Sequence, residues 1–227
     1  MKKLIFSMFT ALLAVAINAQ SLEEIVTKQS QALKEDKYNN VKTLKVTGKM
    51  SQMGMDLTMT TWYKAPNKIR LVLSVSGMEI TQVFDGEKGY MINPMSGSDS
   101  PQELPASQTE SMKNNSSFKS PLSQYFRDGK LTLEGSENVK DKPAFKIKAV
   151  DGENVYYIFV DKSSYLPVKM SVTTSGITVD SYQEWSELNG LMLPTKTTSQ
   201  TEGMEFVMTL DNVEVNVPIE DTFFKVN

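Results

Sequence analysis

Alternating apolar and polar positions dominate the chain from Thr43 onward. Large side chains occupy most odd positions of one such segment, namely Met55, Leu57, Met59 and Tyr63, and more polar ones occupy most of the even positions between them. A period of two is typical of a β-strand with one buried face. Gly, Asp-Gly or Pro-Asn turns separate successive segments of this kind, so the pattern predicts a meander of antiparallel strands.

One amphipathic helix is predicted ahead of the strands. Ser21 and Glu24 have the spacing of a capping box, and the helix is expected to run to about Lys37. One helical face carries Leu22, Ile25, Val26, Gln29, Ala32 and Leu33. The charged residues lie on the other face, as in a helix that packs on a core.

The strand pattern sets the fold class. It predicts about ten or eleven strands, which exceeds the usual size of an open sheet, so the sheet has to curl. We therefore expect a mainly β protein with a few helices, built on a single curled antiparallel sheet. No linker interrupts the rhythm, and residues 20–227 are interpreted as one domain.

The segment 94–128 breaks the alternation. It is rich in Pro and Ser and has no period of two, so it cannot be a central strand and is predicted to be a long loop with short helical turns. Pro121 suits a first helical turn, which places Leu122, Tyr125 and Phe126 on one side. Long segments of this kind inside a compact domain are often functional, and 94–128 is the candidate lid.

Residues 1–19 have the pattern of a secretory signal peptide. Lys2 and Lys3 precede an apolar stretch, and small residues end at Ala19, where cleavage would leave Gln20 as the new terminus. The stretch is too short to span a membrane comfortably. We therefore expect an exported protein, located in the periplasm and not lipid-anchored.

Composition narrows the chemistry further. The 227-residue chain contains neither His nor Cys. This excludes a Ser-His-Asp triad, a thiolate nucleophile, a zinc-thiolate site and a lipid-bearing N-terminal cysteine. The net charge of −3 makes nucleic-acid binding a poor hypothesis. No metal and no cofactor are expected.

Carboxylate chemistry is the enzymatic alternative that composition leaves open. The closest pairs are Asp85/Glu87, Asp151/Glu153 and Glu184/Glu187. A carboxylate pair can hydrolyse glycosides in principle. However, the Asp residues of the first two pairs precede glycines in hairpin turns, where Asp-Gly is expected for backbone reasons. An enzyme is therefore the least favoured reading, and no catalytic residue is assigned.

An uncovered apolar face points to binding. One helix and one candidate lid are a small cover for so many strands, and residual apolar surface would form a groove or cavity. The 14 methionines include Met55 and Met59 on one strand face. Their flexible thioethers suit an irregular apolar ligand, although ordinary core filling is the more common role of such residues.

Four segments resemble the periplasmic LolA/LolB-like family of lipoprotein-sorting proteins. They are the strand–turn–strand run 62–70, the hairpin 84–94 around an Asp-Gly turn, the segment 160–168 with its Leu-Pro-Val, and the closing strand 215–218 with Phe223. The resemblance implies an unclosed β-barrel around an apolar cavity with a helical lid. It implies a carrier of lipoprotein acyl chains or a related lipid, with an inner-membrane donor and an outer-membrane acceptor as partners. A monomer is expected.

The same resemblance implies which side chains would bind the acyl chain. The cavity-facing candidates are Met55, Leu57, Met59, Tyr63, Leu71, Leu73, Met78, Ile80, Phe84, Tyr90, Ile92, Phe206 and Met208. The lid candidates are Leu122, Tyr125 and Phe126. Each buried methylene contributes about 0.8 kcal/mol, which suits reversible binding of one chain.

Two departures from the family bear on mechanism. The best-studied carriers have an Arg before the Pro-Asn turn that holds the lid, whereas this chain has Ala65 there. Its two arginines, Arg70 and Arg127, are the candidates for a different latch or a head-group contact. The missing N-terminal Cys excludes the anchored receptor type. A non-transport module for lipid sensing or protein interaction is the alternative function for this fold.

Overall fold

The computed structural model describes residues 20–226 except Met53, 117–119, Glu153 and Ser175. The expected signal peptide, residues 1–19, lies outside the described residues. The helices are α1 (Leu22–Ala32), α2 (Ala106–Asn115) and α3 (Pro121–Arg127), with short 3₁₀ helices at Glu35–Asn40, Pro94–Ser96 and Asp221–Phe224. The strands are β1 (Thr43–Gln52), β2 (Met55–Lys64), β3 (Lys68–Val75), β4 (Met78–Phe84), β5 (Gly89–Asn93), β6 (Ser98–Glu103), β7 (Leu131–Val139), β8 (Lys142–Asp151), β9 (Asn154–Asp161), β10 (Pro167–Thr174), β11 (Ile177–Leu188), β12 (Leu191–Thr201) and β13 (Met204–Val215).

A single antiparallel sheet contains all 13 of these strands, in the order β6-β5-β4-β3-β2-β1-β13-β12-β11-β10-β9-β8-β7. Sheet neighbours are also sequence neighbours except at β1 and β13, where Leu44 pairs with Val215 and Met50 with Met208. The outer strands β6 and β7 do not pair with each other, so the barrel is unclosed. The predicted mainly β fold with one curled antiparallel sheet is confirmed.

Strand β6 corrects the prediction for the segment 94–128. Ser98–Glu103 pairs with β5 and forms one edge of the sheet, although its sequence has no period of two. Pro101 is tolerated there because an edge strand needs backbone hydrogen bonds on one side only. The rest of the segment supplies the 3₁₀ helix at Pro94–Ser96 and the helices α2 and α3.

Helix α1 starts as predicted and ends earlier than predicted. Ser21 caps it, because its Oγ accepts a hydrogen bond from the Glu24 amide at 3.1 Å. The helix stops at Ala32, and Lys34 adopts a left-handed conformation with φ 52°. This break redirects the chain into the 3₁₀ helix at Glu35–Asn40, which reaches a different part of the sheet.

Helices α1 and α3 cover part of one face of the sheet, which we call the inner face. Ile25 of α1 and Leu122 of α3 pack in one buried cluster with Ile147 of β8 and Ile158 of β9. Helix α2 lies over β4 and β5 on the same face. Gly89 permits this approach, because a Cβ there would lie 2.8 Å from Thr109 Oγ1 of α2.

The C-terminal segment crosses the opposite, outer face. The Arg70 guanidinium donates a hydrogen bond to the Phe223 carbonyl at 2.8 Å and lies 4.8 Å from the centre of that ring. Trp62 meets the same ring edge-on, and Phe224 is fully buried. Arg70 therefore clamps this segment on the side of the sheet away from the inner face. The expectation that it latches a lid or touches a head group is corrected.

We predict that Arg70→Ala lowers the free energy of unfolding by about 2 kcal/mol, because a charge-assisted hydrogen bond and a cation–π contact are lost together. Urea denaturation measures this change. Arg127→Ala is the matched control, since Arg127 is exposed at the end of α3 and its loss should cost less than about 0.5 kcal/mol. Equal midpoints for the two variants would contradict the clamp.

Candidate ligand-binding cavity

A cavity of about 350 Å³ lies between the inner face and its helical cover. Its walls come from β1, β2 and β9–β13, and its roof comes from the second half of α1, the 3₁₀ helix at Glu35–Asn40 and the start of α3. Most of the lining side chains are apolar. The cavity therefore lies where the two halves of the sheet curl towards each other.

Strands β2, β1 and β13 form one wall because their registers align apolar residues. Met59 of β2 lies opposite Gly48, and Val46 lies opposite Val213 of β13. Met59, Val46 and Met208 all line the cavity. Their alternation along each strand directs the intervening residues, such as Lys45, to the outer face.

The facing wall comes from β10–β12, and two hydrogen bonds help to fix it. The Trp185 indole nitrogen donates to the Pro167 carbonyl at 2.6 Å, which ties β11 to the start of β10. The Tyr38 hydroxyl donates to the Met192 carbonyl at 2.7 Å, which ties the roof to β12. The indole and thioether surfaces are thereby presented to the cavity.

Polar groups join the parts of the roof. Glu35 accepts hydrogen bonds from Ser123 Oγ at 3.0 and 2.9 Å, from the Ser120 amide at 3.2 Å and from Ser30 Oγ at 2.9 Å. Gln29 Oε1 accepts a further one from Ser120 Oγ at 3.3 Å. Glu35 therefore connects α3 to α1 and the 3₁₀ helix, and it serves as the latch of this roof.

Two tyrosines on the cavity lining stay neutral at physiological pH. Burial raises the pKa of Tyr63 to about 12. Burial, and secondarily the nearby Glu35 carboxylate, raises the pKa of Tyr38 to about 12. Both phenols therefore add polarisable surface without charge.

Apolar side chains continue from the cavity along the inner face of β2 and β13, and we call this strip the groove. On β13 the residues Met208, Phe206 and Met204 follow one another on this face, and on β2 the residues Met59 and Leu57 do so. Exposure increases along β13, from half-buried Met208 to Met204 at 41%. The groove ends at hairpin tips that lie at one end of the sheet.

Three neighbouring hairpin tips share the tripeptide Gly-Met-acid. These are Gly54-Met55-Asp56, Gly77-Met78-Glu79 and Gly203-Met204-Glu205. Each glycine has a positive φ between 79° and 82°, as such tight turns require. Each methionine lies on the inner face, with 41% to 56% exposure, and each acid faces outward. The open end of the groove, which we call its lip, is thus formed by three exposed methionines, and acidic residues lie on the opposite face of the same tips.

The structure separates the predicted ligand-contacting residues into groups. Met59, Tyr63, Met208 and the lid residue Leu122 line the cavity. Seven others share the inner face without lining it, namely Met55, Leu57, Leu71, Leu73, Met78, Ile80 and Phe206. Phe84 is on the same face and is 1% exposed, at the end of β4 near α2. The predicted residues on the inner face therefore fall into three places, namely the cavity lining, the groove and the region of β4 near α2.

The remaining predicted residues lie elsewhere. Tyr90 pairs with Val83 and Ile92 with Thr81, which puts both on the outer face, whereas Gly89 pairs with Phe84. Their expected inward orientation is corrected, since the four-residue connection 85–88 shifts the face by one position. Of the lid residues, Phe126 packs against the core under α3, and Tyr125 contacts the Tyr156 ring at 5.8 Å.

Among the described residues, the acids of the enzymatic alternative lie outside the cavity lining. Asp85 accepts from the amides of Glu87 and Lys88 at 2.8 Å, as a turn residue does. Glu184 lies 3.1 Å from Lys196 in a cross-strand ion pair. These contacts assign the acids to turns and surface pairs. Glu153 is outside the described residues.

Sequence reasoning missed part of the roof and the facing wall. Glu35, Tyr38 and Trp185 line the cavity, yet none was assigned to the site. The sequence signal for Glu35 was weak, because an acid near a helix end is usually solvated. Gln29 gave a clearer signal as a polar residue within the apolar stripe of α1.

This geometry is that of a LolA-like fold, in which an unclosed barrel with a helical cover surrounds an apolar cavity. The chain is similar to the crystal structure of a LolA superfamily protein from Nitrosomonas europaea, with a TM-score of 0.60 and 14% identity over 91% of this chain and 98% of that one. It is similar to a putative outer membrane lipoprotein-sorting protein domain from Vibrio parahaemolyticus, with a TM-score of 0.64 and 10% identity over 90% and 97%.

A third similar structure is a DUF1329 family protein from Desulfovibrio piger, with a TM-score of 0.63 and 12% identity over 88% of this chain and 97% of that one. No protein-family model and no curated protein match the sequence. At these identities the likeness establishes the fold. Within the described ranges, no helix combines the length and apolar character needed to cross a membrane.

We predict that Glu35→Gln loosens the roof. A neutral amide offers one acceptor oxygen in place of two charged ones, so the amides of α3 should exchange hydrogen about tenfold faster. Hydrogen exchange followed by mass spectrometry measures this. Glu110→Gln, which changes an exposed acid of α2 paired only loosely with Lys113 at 3.6 Å, should leave α3 unchanged. Unaltered α3 protection in Glu35→Gln would refute the latch.

Proposed function

We propose that the protein is a periplasmic carrier that binds an acyl chain of a lipoprotein, or of a related lipid, in the cavity and passes it on through the open groove. The observation that carries this proposal is the continuity of a partly open apolar cavity with exposed apolar side chains on one sheet face. The similarity to lipoprotein-sorting structures supports it.

Size and polarity suit a hydrocarbon chain. A volume of about 350 Å³ is at the lower end of the range for ligand sites, which typically run from about 300 to 1,000 Å³. Each buried methylene contributes about 0.8 kcal/mol, so a chain held in the cavity binds firmly without an ion pair. The part of a longer ligand that exceeds the cavity would lie in the groove.

The groove supplies a route for transfer. Met55, Met78 and Met204 line its open end with unbranched side chains that adapt to different shapes. Since these methionines are already exposed, a chain can leave the groove before the roof is fully displaced. In this proposal the roof opens by breaking the hydrogen bonds of Glu35.

The cellular setting belongs to the same proposal. Residues 1–19 would direct export and be removed, residues 20–227 would form one carrier domain, and the protein would act as a monomer between an inner-membrane donor and an outer-membrane acceptor. Reversible apolar binding supports a shuttle of this kind, because neither a bound metal nor a reacting group is required.

Two measurements test the proposal together. Protein purified from its native compartment is examined by native mass spectrometry for bound lipid, and lipid-loaded protein is mixed with acceptor vesicles containing a fluorescence quencher. We expect copurified acyl lipid and a transfer rate that increases with vesicle concentration. Bound lipid without transfer would instead favour a lipid-sensing or protein-interaction module of the same fold. A protein that neither copurifies with lipid nor takes it up would refute the carrier.

We predict that Met208→Trp weakens lipid binding at least tenfold, because the indole occupies part of the cavity. Displacement of Nile red by acyl lipid measures the affinity. Met95→Trp is the matched control, since Met95 is 56% exposed in the 3₁₀ helix at Pro94–Ser96 and lies outside the cavity lining. Equal affinities of the two variants would place the lipid elsewhere.

A further inference from the structure

Gln29 is a polar residue in a position that packing would give to an apolar one. It follows Ile25 by one helical turn and precedes Leu33 by another, within the buried stripe of α1, and its own side chain is 0% exposed. It also belongs to the lining of the cavity. A buried amide in such a stripe lowers stability unless both of its ends are hydrogen-bonded.

One end of this amide has no partner among the described residues. Gln29 Oε1 accepts from Ser120 Oγ at 3.3 Å, whereas Nε2 is buried without any hydrogen bond. Ser120 Oγ makes two hydrogen bonds at once, because it accepts from the Leu122 amide at 3.2 Å as the cap of α3 and donates its own hydrogen to Gln29 Oε1. With Oε1 directed at Ser120, the N–H groups of Gln29 Nε2 stay available.

The neighbouring charge defines what this N–H can bind. Glu35 is linked to the same residue, since it accepts from the Ser120 amide at 3.2 Å, and it is also part of the cavity lining. A ligand carboxylate or phosphate placed at Gln29 would be close to this carboxylate and would be repelled. A neutral carbonyl oxygen accepts the N–H without that penalty.

We infer that Gln29 Nε2 donates a hydrogen bond to the carbonyl oxygen of an acyl ester or acyl amide whose chain fills the cavity, and that the site selects such groups over free fatty acids. The inference rests on the proposed function, because it needs an acyl chain in the cavity. It adds a ligand class, since ester- and amide-linked chains are distinguished both from bare hydrocarbon and from anionic lipid.

Competition against Nile red tests this selectivity with methyl palmitate, palmitamide, palmitate and hexadecane. In the wild-type protein the ester and the amide should bind about tenfold more tightly than hexadecane and palmitate. Gln29→Leu should bring the ester, the amide and hexadecane to similar affinities. Gln31→Leu, which makes the same change at an exposed position of α1, should keep the wild-type preference.

Infrared spectroscopy measures the carbonyl stretching frequency of the ligand, which reports the hydrogen bond directly and would not change through altered packing alone. With methyl palmitate isotope-labelled at the carbonyl, binding to the wild-type protein should shift the carbonyl stretch to lower frequency, and binding to Gln29→Leu should not. Gln29→Met replaces the leucine variant if circular dichroism shows that the latter does not fold. An unshifted carbonyl stretch, or an ester preference that survives in the folded Gln29 variant, overturns the inference.

The same experiment separates this inference from the proposed function. If hexadecane and methyl palmitate displace Nile red equally well from the wild-type protein, the cavity binds chains and only the role of Gln29 is refuted. If none of the four compounds displaces the dye, the carrier proposal fails and the inference fails with it.

Discussion

A sheet of 13 strands with one apolar face has to curl and be covered, and the remaining structure follows from this constraint. Twist accumulates from strand to strand, so a sheet of this width cannot stay flat. Curling brings β2 and β12 to face each other across the inner face, although β1 and β13 separate them in the sheet. Helices α1 and α3 fill one part of the enclosed space and leave the cavity in another.

The cover itself combines two kinds of contact. Next to β8 and β9 it is apolar, with Ile25 and Leu122 in one buried cluster. Above the cavity it also contains polar contacts, with Glu35 hydrogen-bonded to Ser123 and the Ser120 amide. Apolar packing fixes the helices in place, whereas a few hydrogen bonds beside a cavity can exchange partners at low net cost. The opening that the proposed function requires would therefore break these hydrogen bonds and could leave the apolar cluster at β8 and β9 intact.

Local patterns predicted the strands, whereas the curvature of the sheet determines which residues surround the cavity. Alternation along β2 correctly directed Met59 to the inner face, because that property depends on neighbouring residues alone. The predicted orientation of Tyr90 was wrong because the orientation depends on the length of the connection 85–88. The prediction missed strand β6, because a proline such as Pro101 argues against a strand except at the edge of a sheet. Trp185 was missed since no sequence pattern states which distant strands a curled sheet brings together.

The latch illustrates the same difference between sequence and structure. Ala65 in place of the family Arg suggested that another cation would hold the lid, and both arginines of the chain were candidates. The structure gives this role to an acid, Glu35, whose partners are serine hydroxyls and a backbone amide. Such partners are common residues with no sequence signal of their own. Arg70 instead stabilises the outer face through Phe223.

The distribution of exposure along the inner face explains how one site could both hold and release a chain. Met59 is 6% exposed beside the cavity, and Met55 is 56% exposed two inner-face positions further along β2. Because apolar stabilisation scales with the area removed from water, a methylene gains most in the cavity and less towards the lip. For the proposed acyl ligand, the favourable binding free energy would therefore decrease gradually from the cavity along the groove. In the proposed carrier, a chain that slides outward would meet many small steps, and its release would require no single large barrier beyond the opening of the roof.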